Sequence, residues 1–424
     1  MLHSIFLSPE PLAPWGQIRV VLSLSCYAFT VRPIHRDIPA VAQLSRFTSR
    51  SLNNVQRPKT KNPNLEKKDF AMRQSSRWKL RPPGSNWGDF GPDDQYGRMN
   101  LLTPEKVKQG IAEVKEGLTF NLSLPLDFPG GNVLNPRRLP PVLRPTVRNG
   151  KPNLNYQLWC DDPSCTDVVS DDLVIMHLQY STQWDSFAHV GSMFDADGDG
   201  KPEALYYNGY RAGIDVVGPD KPEGAGIFDF AKIPRESTSQ AKALGIEKMS
   251  EKCVQGRAVM VDLHAHVGRE RVNIDYDLLM EIFQKDGVSV ESGDMVCLHT
   301  GFADMLLEMN KEPDGHLLEN SCAVLEGRDP KLLQWITDSG LVALIADNYA
   351  VEAHPATHKP GVCATLPLHE HCLFKLGIHL GEIWHLSPLA NWLRSHQRSR
   401  FLLTAPPLRL PGAVGSPATP IATV

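Results

Sequence analysis

Short apolar runs alternate along the chain with segments whose apolar residues recur at helical spacing. Residues 257–263, 294–299 and 341–347 are runs of the kind that form strands buried on both faces of a sheet. Residues 276–284 and 331–339 precede the second and third of these runs and have the spacing of amphipathic helices. This alternation predicts an α/β fold in which a mixed sheet is flanked by helices.

The regular pattern continues on both sides of this central region. Thr103 and Pro104 form an N-cap and a first-turn proline, so a helix is predicted that ends before Gly117. Three more segments have a regular pattern: a strand at residues 118–124, a helix at 368–376 and a strand at 378–383. Since no internal repeat or break divides the pattern, we expect one domain over residues 75–412.

The two ends of the chain differ from this domain. Residues 1–70 contain many serines and arginines and few acids. A disordered extension is the favoured interpretation of these residues, and an organelle transit peptide, for example a mitochondrial one, is the alternative. Residues 413–424 show no regular pattern and are expected to form an irregular tail.

Composition and missing motifs narrow the class of function. The net charge of −4, spread over both signs, provides no basic face for nucleic acid, and no apolar run approaches the length of a membrane span. The eight cysteines include no Cys-x-x-Cys pair, which favours a reducing, cytoplasmic environment. The chain also lacks the nucleophile elbow of serine hydrolases, a Walker loop and a dinucleotide fingerprint.

The densest group of polar residues lies at residues 177–189. If this segment is extended, one face carries His177, Gln179, Ser181, Gln183, Asp185 and His189, while the other is mainly apolar. A carboxylate beside an imidazole can hold a divalent cation or orient a base that activates water. A half-exposed strand whose polar face meets solvent explains the same pattern, and periodicity alone does not separate the two interpretations.

The same segment resembles the signature of the cyclase superfamily, which includes bacterial kynurenine formamidase and isatin hydrolase. Thr182, Asp185 and His189 match this signature, whereas Gln179 and Gln183 stand where the family has two metal-binding histidines. Segments 86–88, 97–104, 206–210 and 401–412 resemble a fungal-type subgroup in which glutamine-containing versions of the motif occur. The resemblance therefore covers nearly the whole domain and implies a fold similar to the swivelling β/β/α domain of the family.

The resemblance also implies a site assembled from distant parts of the chain. Asp185 would be a metal ligand, His189 the general acid and base, and Glu382 a second carboxylate with a part in both binding and catalysis. His369 is the expected histidine ligand, and His371 is its rival, since two positions so close on a helix cannot both face the site.

The ligand set predicts the metal content. Asp185, His369 and Glu382 provide three ligands, and Gln183 adds at most a neutral carbonyl oxygen. The loss of two imidazoles removes a binuclear site, so we expect at most one divalent ion, zinc or manganese. A metal-free variant that uses the same groups as acids and bases is the alternative.

The expected substrate is a small cyclic or amide-containing metabolite, hydrolysed at a C–N bond as by kynurenine formamidase, or cyclised or dehydrated. Trp87, Trp184, Phe187 and Asn208 are predicted to contact this substrate, with core packing as the alternative for the aromatic residues. The subgroup suggests secondary metabolism, and the family implies a homodimer or a higher homo-oligomer. The competing class is a non-catalytic ligand-binding relative that has lost the metal site.

An acidic turn at residues 195–200 resembles the start of an EF-hand calcium loop. Tyr206 stands where that loop requires its bidentate glutamate. We therefore favour a glycine-rich turn over a calcium site.

Overall fold

The computed structural model describes residues 77–226 and 236–424. The predicted extension, residues 1–70, lies outside the described residues. Within the described part of the chain, no helix is long and apolar enough to cross a membrane.

A single large sheet organises the described residues. It has nine strands: β1 (Thr119–Asn121), β2 (Gln183–Asp185), β3 (Gln255–Asp262), β4 (Met295–His299), β5 (Ala343–Ala346), β6 (His379–Glu382), β7 (Arg400–Thr404), β8 (Gly415–Pro417) and β9 (Ile421–Thr423). Their order across the sheet is β1-β9-β7-β3-β4-β5-β6-β2-β8. Strands β3 to β6 are parallel to one another, and the strands on either side pair antiparallel. The mixed sheet predicted from the sequence is therefore confirmed.

Helices connect and cover these strands. They are α1 (Pro104–Ala112), α2 (Ile246–Glu251), α3 (Leu263–Val267), α4 (Tyr276–Asp286), α5 (Phe302–Glu308), α6 (Gly315–Glu319), α7 (Pro330–Ser339), α8 (Pro367–His369) and α9 (Ser387–Ser395), with a π-helical segment at Glu370–Leu376. Short 3₁₀ turns lie at Gly97–Leu101, Leu158–Cys160, Tyr207–Gly209 and Pro222–Gly224. The predicted cap of α1 is present, because the Thr103 side chain accepts a hydrogen bond from the Lys106 amide.

Alternation along the central strands creates two apolar layers. In β3, Val259 and Val261 point to one layer, whereas Ala258 and Met260 point to the other. Helices α4 and α7 bury their apolar faces on the first layer, and α2 and α9 bury theirs on the second. Because both faces are covered, the strands are apolar at successive positions, which is the pattern that the sequence displayed.

The C-terminal residues are not the irregular tail that was expected. Strand β9 lies between β1 and β7, and β8 forms the edge of the sheet beside β2. Each is only three residues long, and Pro417 ends β8, so neither has a recognisable alternation. An edge position tolerates this proline because one side of the strand needs no hydrogen-bond donor.

Six two-stranded sheets of the described residues stand apart from the large sheet. Three of them form an excursion at residues 142–175: Val142–Pro145 with Asp172–Ile175, Val147–Arg148 with Lys151–Pro152, and Tyr156–Gln157 with Val168–Val169. The others pair Ser192–Phe194 with Glu203–Leu205, Val216–Val217 with Gln240–Ala241, and Asn273–Ile274 with Val324–Leu325.

Candidate metal and acid–base site

The antiparallel pairing of β2 with β6 brings two distant segments together. Gln183 lies directly opposite Glu382, and Asp185 lies opposite Leu380. Gln183 and Asp185 are two residues apart and share a face, while Trp184 points into the apolar layer behind them and contacts Trp384. The Gln183 amide donates to Glu382 Oε2 over 2.9 Å. The strand register therefore places the early motif and the late glutamate in one buried cluster.

The segment around β2 is not extended as the sequence pattern suggested. Only Gln183–Asp185 form a strand, and turns on both sides fold the chain back. His189 Nε2 lies 4.0 Å from Asp185 Oδ1, whereas an extended chain would separate these residues by about 13 Å. On the other side, Gln179 returns to donate to Asp185 Oδ1 over 2.6 Å. His177 contacts the backbone of Leu139 instead and lies outside the cluster.

His369 completes the cluster from helix α8. Its Nε2 lies 3.2 Å from Glu382 Oε1 and 4.0 Å from Asp185 Oδ2. The rival His371 points away and bonds through Nε2 to the Thr337 hydroxyl over 2.9 Å. The structure thus brings His369, and not His371, to the two carboxylates.

A third buried carboxylate fixes the orientation of this imidazole. Glu352 Oε1 accepts from His369 Nδ1 over 2.7 Å and from the His369 amide, and Oε2 accepts from the Leu368 amide. With Nδ1 donating to Glu352, Nε2 of a neutral imidazole presents a lone pair to Asp185 and Glu382. Metal-binding histidines in proteins are held in this way by a carboxylate behind the ring.

Burial and charge shift the pKa values of the cluster. Burial raises the pKa of Asp185, an effect that His189 opposes and Glu382 reinforces. Burial would also raise the pKa of Glu382, but the hydrogen bond with His369 lowers it overall. Although burial opposes its charged form, hydrogen bonds with Glu352 and Glu382 raise the pKa of His369 to about 10. The carboxylates of the cluster therefore favour a positive charge between them, which the protonated His369 supplies and which a divalent ion that displaces the Nε2 proton would supply in its place.

The donor set fits one divalent ion. Asp185, His369 and Glu382 each offer an atom, and these atoms lie within 4.8 Å of one another. Asp185 Oδ2 and Gln183 Oε1 are buried and have no hydrogen-bond partner among the described residues. Unpaired buried oxygens are costly, so an ion that uses them would remove a penalty. Three ligands of mixed nitrogen and oxygen type plus an amide oxygen suit zinc or manganese.

Four residues expected to contact substrate have structural positions instead. Trp87, Trp184 and Phe187 are at most 1% exposed, and each lies in an apolar layer. The two indole groups donate to backbone carbonyls. Asn208 is fully buried and holds the backbone of residues 88–94 with its amide. Because their surfaces are already covered, these side chains do not form the predicted aromatic pocket.

Two other polar groups lie outside the cluster. Asp195 closes its turn by accepting from three backbone amides, as a glycine-rich turn requires.

A hydrogen-bonded chain at the ends of β3 and β4 consists of Asp262, His299 and Ser387, with distances of 2.8 and 2.9 Å. His299 and Ser387 are at most 3% exposed, so these two side chains are covered and join the sheet to α9.

Sequence reasoning missed Glu352. The only local signal was an acid within the otherwise apolar residues 349–353, of which all but the first are buried. A buried acid needs a partner, and that partner lies 17 residues further along the chain. No residue pattern connects these two positions.

A family model and a solved structure of a cyclase agree with this architecture. The Cyclase family model matches residues 120–353. A crystal structure described as a novel cyclase has a TM-score of 0.60 and 28% identity, covering 81% of this chain and 100% of that chain. Isatin hydrolase A from Labrenzia aggregata, bound to benzyl benzoate, has a TM-score of 0.44 and 13% identity, covering 75% and 97%.

A third structure, a "predicted metal-dependent hydrolase" from Bacillus stearothermophilus, has a TM-score of 0.39 and 13% identity, covering 73% and 98%. No curated protein matches the chain. The match of the family model spans more than half of the 424 residues, from strand β1 to the residue after Glu352. The chain therefore belongs to the cyclase family.

Proposed function

We propose that this protein is a hydrolase that uses one divalent metal ion to cleave a C–N bond in a small cyclic or amide-containing metabolite. The observation that supports this is the buried oxygen Asp185 Oδ2, which has no hydrogen-bond partner among the described residues and faces His369 Nε2 beside Glu382. An ion held by these residues and the Gln183 carbonyl would polarise the substrate carbonyl and ease deprotonation of water. The same groups would serve a cyclisation or dehydration.

The protein's own side chains would carry out the proton transfers of this reaction. His189 is 22% exposed and Asp185 is fully buried, so the imidazole lies between solvent and the carboxylate cluster. His189 would take a proton from the attacking water and return it to the leaving nitrogen as the C–N bond breaks. While the His189 imidazole carries the proton, the Asp185 carboxylate would hold the imidazole in place.

A metal-free, ligand-binding relative is the second candidate, and one observation favours it. The Gln183 amide donates a hydrogen bond to one oxygen of Glu382, and the Gln179 amide donates one to an oxygen of Asp185. These hydrogen bonds partly satisfy both carboxylates without an ion. The two candidates differ in metal content and in turnover, so both quantities must be measured.

Replacement of His189 by alanine tests the proposed base. We expect the variant to keep its metal and to lose about 10²- to 10⁴-fold in turnover, because proton transfer contributes that much to such reactions. Turnover would be followed on a panel of N-formyl anilides, cyclic imides and lactams, with metal content measured by mass spectrometry.

His177→Ala is the matched control, since this imidazole belongs to the same segment but contacts Leu139 outside the cluster. Equal turnover in wild type and His189→Ala would rule out the base. A wild-type protein that holds no metal and turns over no member of the panel would leave the ligand-binding candidate.

We also propose that the protein is a homodimer or a higher homo-oligomer, with the excursion at residues 142–175 as the contact surface. Its two-stranded sheets pair with no strand of the large sheet, and such sheets are marginal in isolation. Leu143, Val147, Trp159 and Val168 are each at least 55% exposed. A second copy that covers these side chains would stabilise the excursion.

Polar substitution on this surface tests the oligomer. We expect the triple variant Leu143→Ser, Val147→Ser and Val168→Ser to shift the molar mass in solution, measured by light scattering, from that of an oligomer to that of one chain. Met193→Ser is the control, because this methionine is 63% exposed but lies outside the excursion. A monomeric wild type, or an unchanged mass in the triple variant, would contradict the proposal.

A further inference from the structure

A cavity of about 250 Å³ lies next to the carboxylate cluster. Asn348 and Tyr349 form one of its walls, and the Ile383 amide, adjacent to Glu382, donates to the Asn348 carbonyl. Burial, and after it the charge of Glu382, raises the pKa of Tyr349. A ligand in this cavity would therefore have one end beside the proposed site.

The lining of the cavity also contains an arginine that forms no ion pair within the described part of the chain. Arg271 is partly buried and, among the described residues, no carboxylate lies within 4.0 Å of its guanidinium. Glu319, at the cavity's edge, is exposed and reaches it only through a longer-range charge interaction. By contrast, Arg269 forms two hydrogen bonds of 2.7 and 2.6 Å with Glu308. Burial without a counter-ion lowers the pKa of Arg271.

The backbone on both sides of Arg271 is fixed, so its side chain starts from a defined position. The Cys322 amide donates to the Arg269 carbonyl, and the Val324 amide donates to the Val272 carbonyl, each over 2.9 Å. These hydrogen bonds attach residues 269–272 to residues 322–324, and Val324 itself lines the cavity. The backbone that carries Arg271 is therefore ordered before a ligand binds, which removes part of the entropic cost of using its side chain.

A second unpaired group lies in the same cavity. Asn348 is 2% exposed, and its Nδ2 donates to the Ala323 carbonyl over 2.9 Å. This hydrogen bond fixes the orientation of the amide, and it leaves Oδ1 buried without a partner among the described residues. Oδ1 is thus an acceptor with capacity for a hydrogen bond from an N–H or O–H group of a ligand.

We propose that Arg271 binds a carboxylate of the substrate while Asn348 Oδ1 accepts a hydrogen bond from a substrate N–H or O–H. This inference rests on the proposed function and names its substrate class: a small amido or cyclic metabolite that bears a carboxylate. Val133, Leu134, Phe302 and Leu318 also line the cavity and would contact the apolar body of such a molecule. The planar guanidinium matches a carboxylate with two parallel hydrogen bonds.

Benzoate is a suitable probe, with benzamide as its uncharged analogue, and calorimetry would measure both. We expect Arg271→Gln to weaken benzoate binding by about tenfold or more, because a charge-assisted pair is lost, and to leave benzamide unaffected. Arg269→Gln, two positions away and outside the cavity, should leave benzoate affinity unchanged. Equal weakening in both variants, or benzoate no tighter than benzamide in the wild type, would overturn the inference.

The same titration in chelated protein separates this inference from the proposed function. Benzoate that binds without metal, and depends on Arg271, supports the carboxylate subsite even if the protein proves not to be a metal hydrolase. Benzoate that requires the metal and is insensitive to Arg271→Gln overturns the subsite while the proposed function stands. If Arg271→Gln does not fold, Arg271→Lys keeps the charge and loses the paired donors, and an intermediate loss of affinity is expected.

Discussion

Asp185→Asn is expected to lose the bound divalent ion and with it the activity. The substitution keeps the shape of the side chain, and its oxygen can still accept from Gln179, which holds Oδ1 over 2.6 Å in the wild type. The other atom, however, becomes an NH₂ group that faces His369 in place of an anionic ligand. Because losing a residue behind the ligands costs about 10- to 100-fold in affinity, we expect losing a ligand to cost at least about 100-fold.

Metal content after dialysis would measure this effect, and another aspartate of the chain provides the control. Asp199 belongs to the second group of carboxylates that the structure brings together, in the acidic turn with Asp195 and Asp197. Asp199→Asn should keep both metal and turnover. Loss of metal in Asp199→Asn but not in Asp185→Asn would indicate that the ion binds in the acidic turn and would contradict the proposed site.

The sequence predicted the elements of the sheet wherever burial on both faces imposed a pattern. The run at residues 341–347 contains β5 (Ala343–Ala346), and the run at 294–299 contains β4 (Met295–His299). Helix α7 (Pro330–Ser339) begins one residue before its predicted start, because Asp329 caps it and accepts from the Lys331 amide. These elements follow from local composition, so a single sequence is sufficient to find them.

The strands at the C-terminus show where that reasoning fails. Strands β8 (Gly415–Pro417) and β9 (Ile421–Thr423) are defined by their neighbours in the sheet. Three residues do not complete an alternation, and β9 places only Ala422 in the buried layer. Pairing across long sequence separations, which no local pattern records, is what makes these residues strands.

The candidate site was predictable to a similar extent. The motif indicated Asp185 and Gln183 as neighbours on one face, and strand spacing explains that result. The pattern did not indicate that turns would fold His189 and Gln179 back onto the same carboxylate. It also could not distinguish an aromatic residue that walls a pocket from one that fills a core, as Trp184 does, because both look alike in sequence.

Glu352→Gln is expected to weaken metal binding without removing a ligand. Glu352 is fully buried, and both of its oxygens accept hydrogen bonds from the segment that carries His369. In a glutamine, one of these oxygens is replaced by an NH₂ group, so two hydrogen-bond donors face each other where a donor and an acceptor met. The negative charge behind the imidazole is also lost. We expect metal affinity to fall by about 10- to 100-fold, as for other carboxylates that orient a metal-binding histidine.

A second measurement distinguishes this positioning role from a loss of stability. The unpaired donor should lower the free energy of unfolding by about 1–3 kcal/mol in the metal-free protein. Asp294→Asn is the matched control: this buried carboxylate pairs with Arg257 and Lys106, remote from the cluster, so the variant should lose stability and keep its metal affinity. If the two variants lose stability and metal affinity in the same proportion, Glu352 acts only through the fold. If Glu352→Gln alone weakens the metal, the carboxylate sets the orientation and basicity of His369, and the site extends one layer beyond the residues that touch the ion.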